Sequence, residues 1–74
     1  MTIATTEKIV LFWVKTYDNY NSKTCTEYGP DESGETEARV AFHDKVRSDD
    51  FRFVLHGVFT THGSRILNEW RRPS

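Results

Sequence analysis

The stretch Phe51-Arg52-Phe53-Val54-Leu55-His56-Gly57-Val58-Phe59-Thr60 alternates in steps of two. Phe51, Phe53, Leu55 and Phe59 fall on one side, and Arg52, Val54, His56, Val58 and Thr60 on the other. That is the period of a β-strand. Gly57 interrupts the side that carries the large residues, which marks either a bulge or the close approach of a neighbour. Thr61-His62-Gly63-Ser64 follows as a hairpin turn, with Gly63 free to take positive φ. Arg65–Trp70 then supplies a last strand, and Arg71-Arg72-Pro73-Ser74 a short basic tail.

Upstream of residue 51, the spacing changes from two to between three and four. Within Glu35–Arg47, Ala38, Ala41, Phe42 and Val46 recur on one helical stripe, with Glu35 and Arg39 as an i,i+4 pair on its flank. Asp31 or Ser33 can cap this helix, and Glu35 and Glu37 suit the positive end of its dipole. Ser48-Asp49-Asp50 ends it, because short acceptor side chains compete for backbone donors. Gly29-Pro30 separates the helix from what precedes it. Ile9-Val10-Leu11-Phe12-Trp13-Val14 is an unbroken β-branched and aromatic run and reads as a strand over 9–17. After the turn cluster Asp18–Ser22, the Thr-rich Lys23–Tyr28 reads as a weaker strand at a sheet edge. The expected fold is therefore α+β, in the order β-β-α-β-β. It has a four-stranded, mainly antiparallel sheet with one helix packed on one face.

Seventy-four residues make one domain, 1–74, with short flexible ends expected at 1–7 and 71–74. Ten aromatic side chains, 14% of the chain, argue for a folded domain over a disordered segment. Ten basic and eleven acidic residues leave a net charge of −1, so no overall field draws the molecule to nucleic acid or membrane. The single cysteine, Cys25, excludes an internal disulfide framework. The first eight residues lack the basic start of a signal peptide, and the run Ile9–Val14 is too short for its apolar core or for a membrane span. The expectation is a cytoplasmic protein.

Few residues point to catalysis. Cys25 has only Thr24 and Thr26 beside it, with no activating cation or second cysteine, and reads as a small residue on an edge strand. His43, His56 and His62 fall on a helix, a strand and a turn, without the tight ligand pairs of a metal site. No catalytic residue, cofactor motif or metal ligand is assigned, and the chain is expected not to be an enzyme. The acidic stretch from Glu27 to Glu37 reads as a solvated loop and helix start, or as a surface for a basic partner.

Two features point to binding. A single helix shelters one face of a sheet, yet the strands carry apolar residues for two. If Leu11, Trp13, Phe51, Phe53, Leu55 and Phe59 face the helix, then Val10, Phe12, Val14, Val54 and Val58 are left on the open side. An apolar face of that kind fits a protein partner or a second copy across a two-fold axis. The loop Tyr17-Asp18-Asn19-Tyr20-Asn21 joins rigid aromatic area to adaptable hydrogen bonding, which adds Tyr17, Asn19 and Tyr20 to the candidate surface. An alternative surface is Arg65, Trp70, Arg71 and Arg72, where cations and a stacking aromatic would serve nucleic acid. The bland reading of that group is a core tryptophan followed by a solubilising tail.

In size, compactness and lack of a catalytic set, the chain is similar to the short, free-standing proteins that phages and mobile elements encode to bind a host protein and inhibit or redirect it. The expected function is accordingly a small protein-binding module, an inhibitor or adaptor and a homodimer, with a nucleic-acid-binding regulator as the alternative.

Overall fold

The structure is a computed structural model that describes residues 8–18 and 23–73. Its elements are β1 (Ile9–Asp18), β2 (Lys23–Tyr28), α1 (Glu32–Arg47), β3 (Phe51–Thr60) and β4 (Gly63–Arg71). The four strands form one antiparallel sheet in the order β2-β1-β3-β4, and the helix lies across one face. The α+β class and the edge position of β2 are as expected. β4 is longer than expected at both ends: Gly63, at φ 120°, already belongs to the strand, and Arg71 still does.

Local chemistry sets the helix ends. The Asp31 carboxylate accepts the Gly34 N–H at 2.8 Å, satisfying one of the donors left over in the first turn. Ser48 closes the other end, its N–H donating to the Lys45 carbonyl at 3.1 Å. The Ser48 hydroxyl accepts the Asp50 N–H and donates to the Asp50 carboxylate, turning the chain into β3. Glu35 and Arg39 meet at 3.4 Å on the exposed flank. Such a pair adds only about 0.2–0.5 kcal/mol.

The two faces of the sheet are the reverse of the expectation. Phe12, Val14, Val54 and Val58 are buried beneath the helix with Ala38 and Phe42, and Tyr28, Ala41, Val46, Phe51 and Trp70 pack around them. Those four residues form the core and are not an open face. Val10, the fifth member of the expected set, is exposed at a register irregularity between Ile9 and Leu11. Size explains the inversion. The helix stripe is built mainly of small side chains, so it sits closely on a face of valines. The broad aromatics Trp13, Phe53 and Phe59 go to the other side with Leu11 and Leu55. Phe51 is the exception: it reaches the end of the helix, where Lys45 Nζ lies 5.3 Å from the centre of its ring.

Two polar residues on the helix side, Thr60 and Arg72, are bonded within the fold. The Thr60 hydroxyl donates to the Gly63 carbonyl at 2.9 Å and accepts the His62 N–H at 3.0 Å, bracing the β3–β4 turn. Arg72 is not a free tail. Its backbone N–H donates to the Arg52 carbonyl, and its guanidinium donates to the carbonyls of Phe51 and Ser48.

Both readings of Gly57 hold. The β3–β4 register shifts between His56 and Gly57, and the indole of Trp13, the cross-strand partner of Gly57, lies directly over it. A Cβ at this position would fall inside the indole. Gly57→Ala is expected to destabilise the domain by about 3 kcal/mol or more, since the ring is flanked on the sheet and cannot shift freely. Urea unfolding followed by tryptophan fluorescence checks this, and an unchanged midpoint would contradict the contact.

Candidate protein-docking surface

Register assigns the helix-free face residue by residue. β1 contributes Leu11, Trp13, Lys15 and Tyr17, and β3 places Phe59, Gly57, Leu55 and Phe53 opposite them. β4 adds Ile66, opposite Gly57, with Glu69 and Arg71 opposite Leu55 and Phe53. β2 adds Lys23, Cys25 and Glu27, opposite Tyr17, Lys15 and Trp13. No element among the described residues covers this face.

The aromatics on it shelter one another. Trp13 is only 1% exposed although no helix lies above it. The absent side chain at Gly57 lets the indole lie flat, Phe59 tilts against it at 6.1 Å between centroids, and Lys15 Nζ sits 4.6 Å from the ring centre. The indole N–H is buried without a hydrogen-bond acceptor among the described residues. Further along, Tyr17 meets Phe53 edge-on at 5.5 Å, and the Arg71 guanidinium lies 4.7 Å over the same Phe53 ring. Arg71 also donates to Glu69 at 3.0 Å. Tyr17, Phe53, Leu55, Glu69 and Arg71 line an open hollow of about 190 Å³. Nearer the middle of the face, opposite Gly57, Ile66 is 51% exposed.

The candidate residues for partner binding thus separate. Tyr17 joins the helix-free face, whereas Asn19 and Tyr20 lie outside the described residues. Leu11, Phe53, Leu55, Phe59 and Ile66 replace the valines as the open apolar set. Their signal in the sequence was Gly57: a glycine amid large residues implies that a broad neighbour lies over it, and that neighbour can bury itself without a helix.

The arginine–tryptophan group does not converge. Arg65 pairs with Val58 on the helix side, well up the strand from the others. Trp70 packs at the edge of the core. Arg71 lies on the helix-free face, and Arg72 is held against the α1–β3 connection with its guanidinium 5.8 Å from the Trp70 ring centre. Cations pointing to different faces do not line one groove for a phosphate backbone.

The histidines are equally dispersed, and no group of three metal-ligating side chains occurs among the described residues. His43 is exposed on α1 and His62 is exposed in the β3–β4 turn. His56 is 3% exposed beneath the helix, beside Phe12 and Phe42 at 6.4 and 5.9 Å. The Asn68 amide donates to its Nδ1 at 3.0 Å, so the ring proton sits on Nε2, which has no acceptor among the described residues. Cys25 is exposed on β2. No helix among the described residues is long and apolar enough to cross a membrane. Comparison with protein-family models, with curated proteins and with solved structures finds no match.

Burial lowers the pKa of His56 most, and the Arg39 cation lowers it further; Glu35 opposes them more weakly, and His43 adds the smallest lowering. The unfolded chain therefore binds the proton first as pH falls. Stability is at its full value above about pH 6.5 and declines below it, until the folded-state pKa is passed. His56→Gln keeps an acceptor for Asn68 but cannot be protonated. Between about pH 7.5 and about pH 5, its urea midpoint is expected to fall less than that of the parent. Equal falls in both proteins would assign the acid sensitivity to another group.

Proposed function

We propose that this chain is a non-enzymatic protein-binding module that docks a partner protein on the helix-free face of its sheet. One observation carries the reading: a face spanning β1, β3 and β4 presents Leu11, Tyr17, Phe53, Leu55, Phe59 and Ile66 with no element among the described residues over them. Contiguous apolar area of this kind is uncommon on a monomer and marks interaction surfaces. Aromatic residues and arginine, here Tyr17, Phe53 and Arg71, are the side chains that dominate binding energy at such surfaces.

The shape favours a protein over a small molecule. The hollow beside Phe53, about 190 Å³ and open, is smaller than the roughly 300–1,000 Å³ clefts that enclose small ligands. It can accept a side chain from a broader partner. Lys15, Glu69 and Arg71 give the patch charges of both signs, which set orientation without an overall electrostatic pull. A compact binder of this kind acts by occupancy, inhibiting its partner or redirecting it. Cytoplasmic residence is the setting proposed with it, consistent with the free thiol.

The test is affinity capture from the native cell with three versions of the chain. Leu55→Lys/Ile66→Lys places charge in the middle of the face, whereas Val40→Lys alters an exposed position on the helix. The captured partner is expected to be lost with the double variant and kept with Val40→Lys, while circular dichroism shows all three folded. Equal capture by the parent and the folded double variant would overturn the reading.

A further inference from the structure

The two outer strands of the sheet are not equivalent. β4 is interrupted by the register shift opposite His56 and Gly57. Arg65 consequently falls on the helix side with Val58, whereas Glu69 falls on the helix-free side with Leu55. Two copies of β4 laid antiparallel about Leu67 would carry their opposite charges on opposite faces, where these cannot meet. β2 has no such break. All six of its residues pair with β1 in continuous register, Lys23 to Glu27 are exposed, and no strand lies beyond it among the described residues. Its outer side is a row of backbone donors and acceptors of the kind that templates a further strand.

The sequence of that edge is self-complementary. Lys23-Thr24-Cys25-Thr26-Glu27, laid antiparallel on a copy of itself with Cys25 at the centre, sets Lys23 of each copy across from Glu27 of the other. It sets Thr24 across from Thr26, and Cys25 across from Cys25. Because β2 is regular, every pair also shares a face. Lys23, Cys25 and Glu27 lie on the helix-free side, and Thr24 and Thr26 on the helix side. Opposite charges and paired threonines directly across from one another are the favourable cross-strand combinations. We propose that two copies of this chain join edge to edge through β2, about a two-fold axis at Cys25, forming one eight-stranded antiparallel sheet. The seam is an edge, separate from the docking face proposed above, and either can fail without the other.

Such a seam places the two Cys25 Cα atoms about 4.5–5.5 Å apart, within the span a disulfide bridges. The experiment uses the full chain. Sedimentation of the reduced protein is expected to show a species of twice the chain mass growing with concentration. Lys23→Glu, which sets like charges across the seam, is expected to lose it, and Lys23→Glu/Glu27→Lys to regain it. Both positions are exposed, and circular dichroism confirms that each variant is folded. The position of the seam is read with diamide. It accepts two electrons and two protons as two Cys25 thiols join, leaving a disulfide dimer and the hydrazine. The dimer is expected to form faster in the native parent than in the urea-unfolded chain or in folded Lys23→Glu. A parent that stays monomeric, a folded Lys23→Glu that dimerises undiminished, or a charge-swapped pair that stays monomeric overturns the proposal. So does a dimer that Leu55→Lys/Ile66→Lys abolishes and Lys23→Glu leaves intact, since that would move the contact to the docking face.

Discussion

The Trp13 indole lies flat on the backbone of Gly57, and the character of both sheet faces follows from that contact. A side chain at position 57 would lift the ring away from the sheet. Without one, the largest fully buried side chain is covered by its own sheet, with Phe59 and Lys15 closing over it. The face opposite the helix is thereby made stable enough to remain uncovered, yet it still presents the partly exposed Leu11, Leu55, Phe53 and Tyr17 around the sealed ring. The contact has a cost. An indole N–H buried with no acceptor among the described residues forfeits about 1–3 kcal/mol, a sizeable share of the roughly 4–11 kcal/mol expected of a domain this size.

The helix side is organised by a different constraint. Ala38 is wholly buried and Ala41 half-buried on the sheet-facing stripe, so the helix approaches the sheet closely and leaves room only for modest side chains below. Val14, Val54 and Val58 suit that space, and Phe12 and Phe42 pack with them beside His56. The polar members of this face are accommodated rather than excluded. Thr60 bonds into the β3–β4 turn, and His56 accepts a hydrogen bond from the Asn68 amide at Nδ1, leaving its Nε2 without a partner among the described residues. A face that holds His56, Thr16 and Thr60 is thus the deeper of the two.

That is why the elements were legible in the sequence and the faces were not. β2 and β3 run as the residue pattern expects, Asp31 caps the helix, and Ala38, Ala41, Phe42 and Val46 turn toward the sheet. Each depends on local chemistry: alternation, a capping oxygen, helical spacing. Which side of β3 meets the helix depends instead on how closely two elements pack. Counting apolar area favours the side with Phe53, Leu55 and Phe59, and counting polar atoms favours exposing His56 and Thr60. Both counts point the wrong way, because they omit the ability of broad rings to shelter one another and of polar atoms to pair across strands. The excess of apolar residues over what one helix can shelter was readable. Its location was not, and the candidate surface moved from Phe12, Val14, Val54 and Val58 to the residues that alternate with them.

The geometry of the sheet also decides how the two proposed surfaces combine. A two-fold axis through the β2 edge runs perpendicular to the sheet, so both helices lie on one side of the joined sheet and both helix-free faces on the other. Edge pairing then leaves each docking face open and sets two of them side by side in fixed relation. Stacking the sheets face to face would consume the same area that a partner needs. The charged residues at the seam, Lys23 and Glu27, stand at the margin of the apolar patch beside Tyr17 and Trp13. They thus separate the two patches by a strip of polar β2 surface. A partner that bridges this strip engages two faces at once, and the second contact is made at the effective concentration the first imposes. Avidity of that kind lets two modest surfaces on a small domain hold a partner that one surface alone would release.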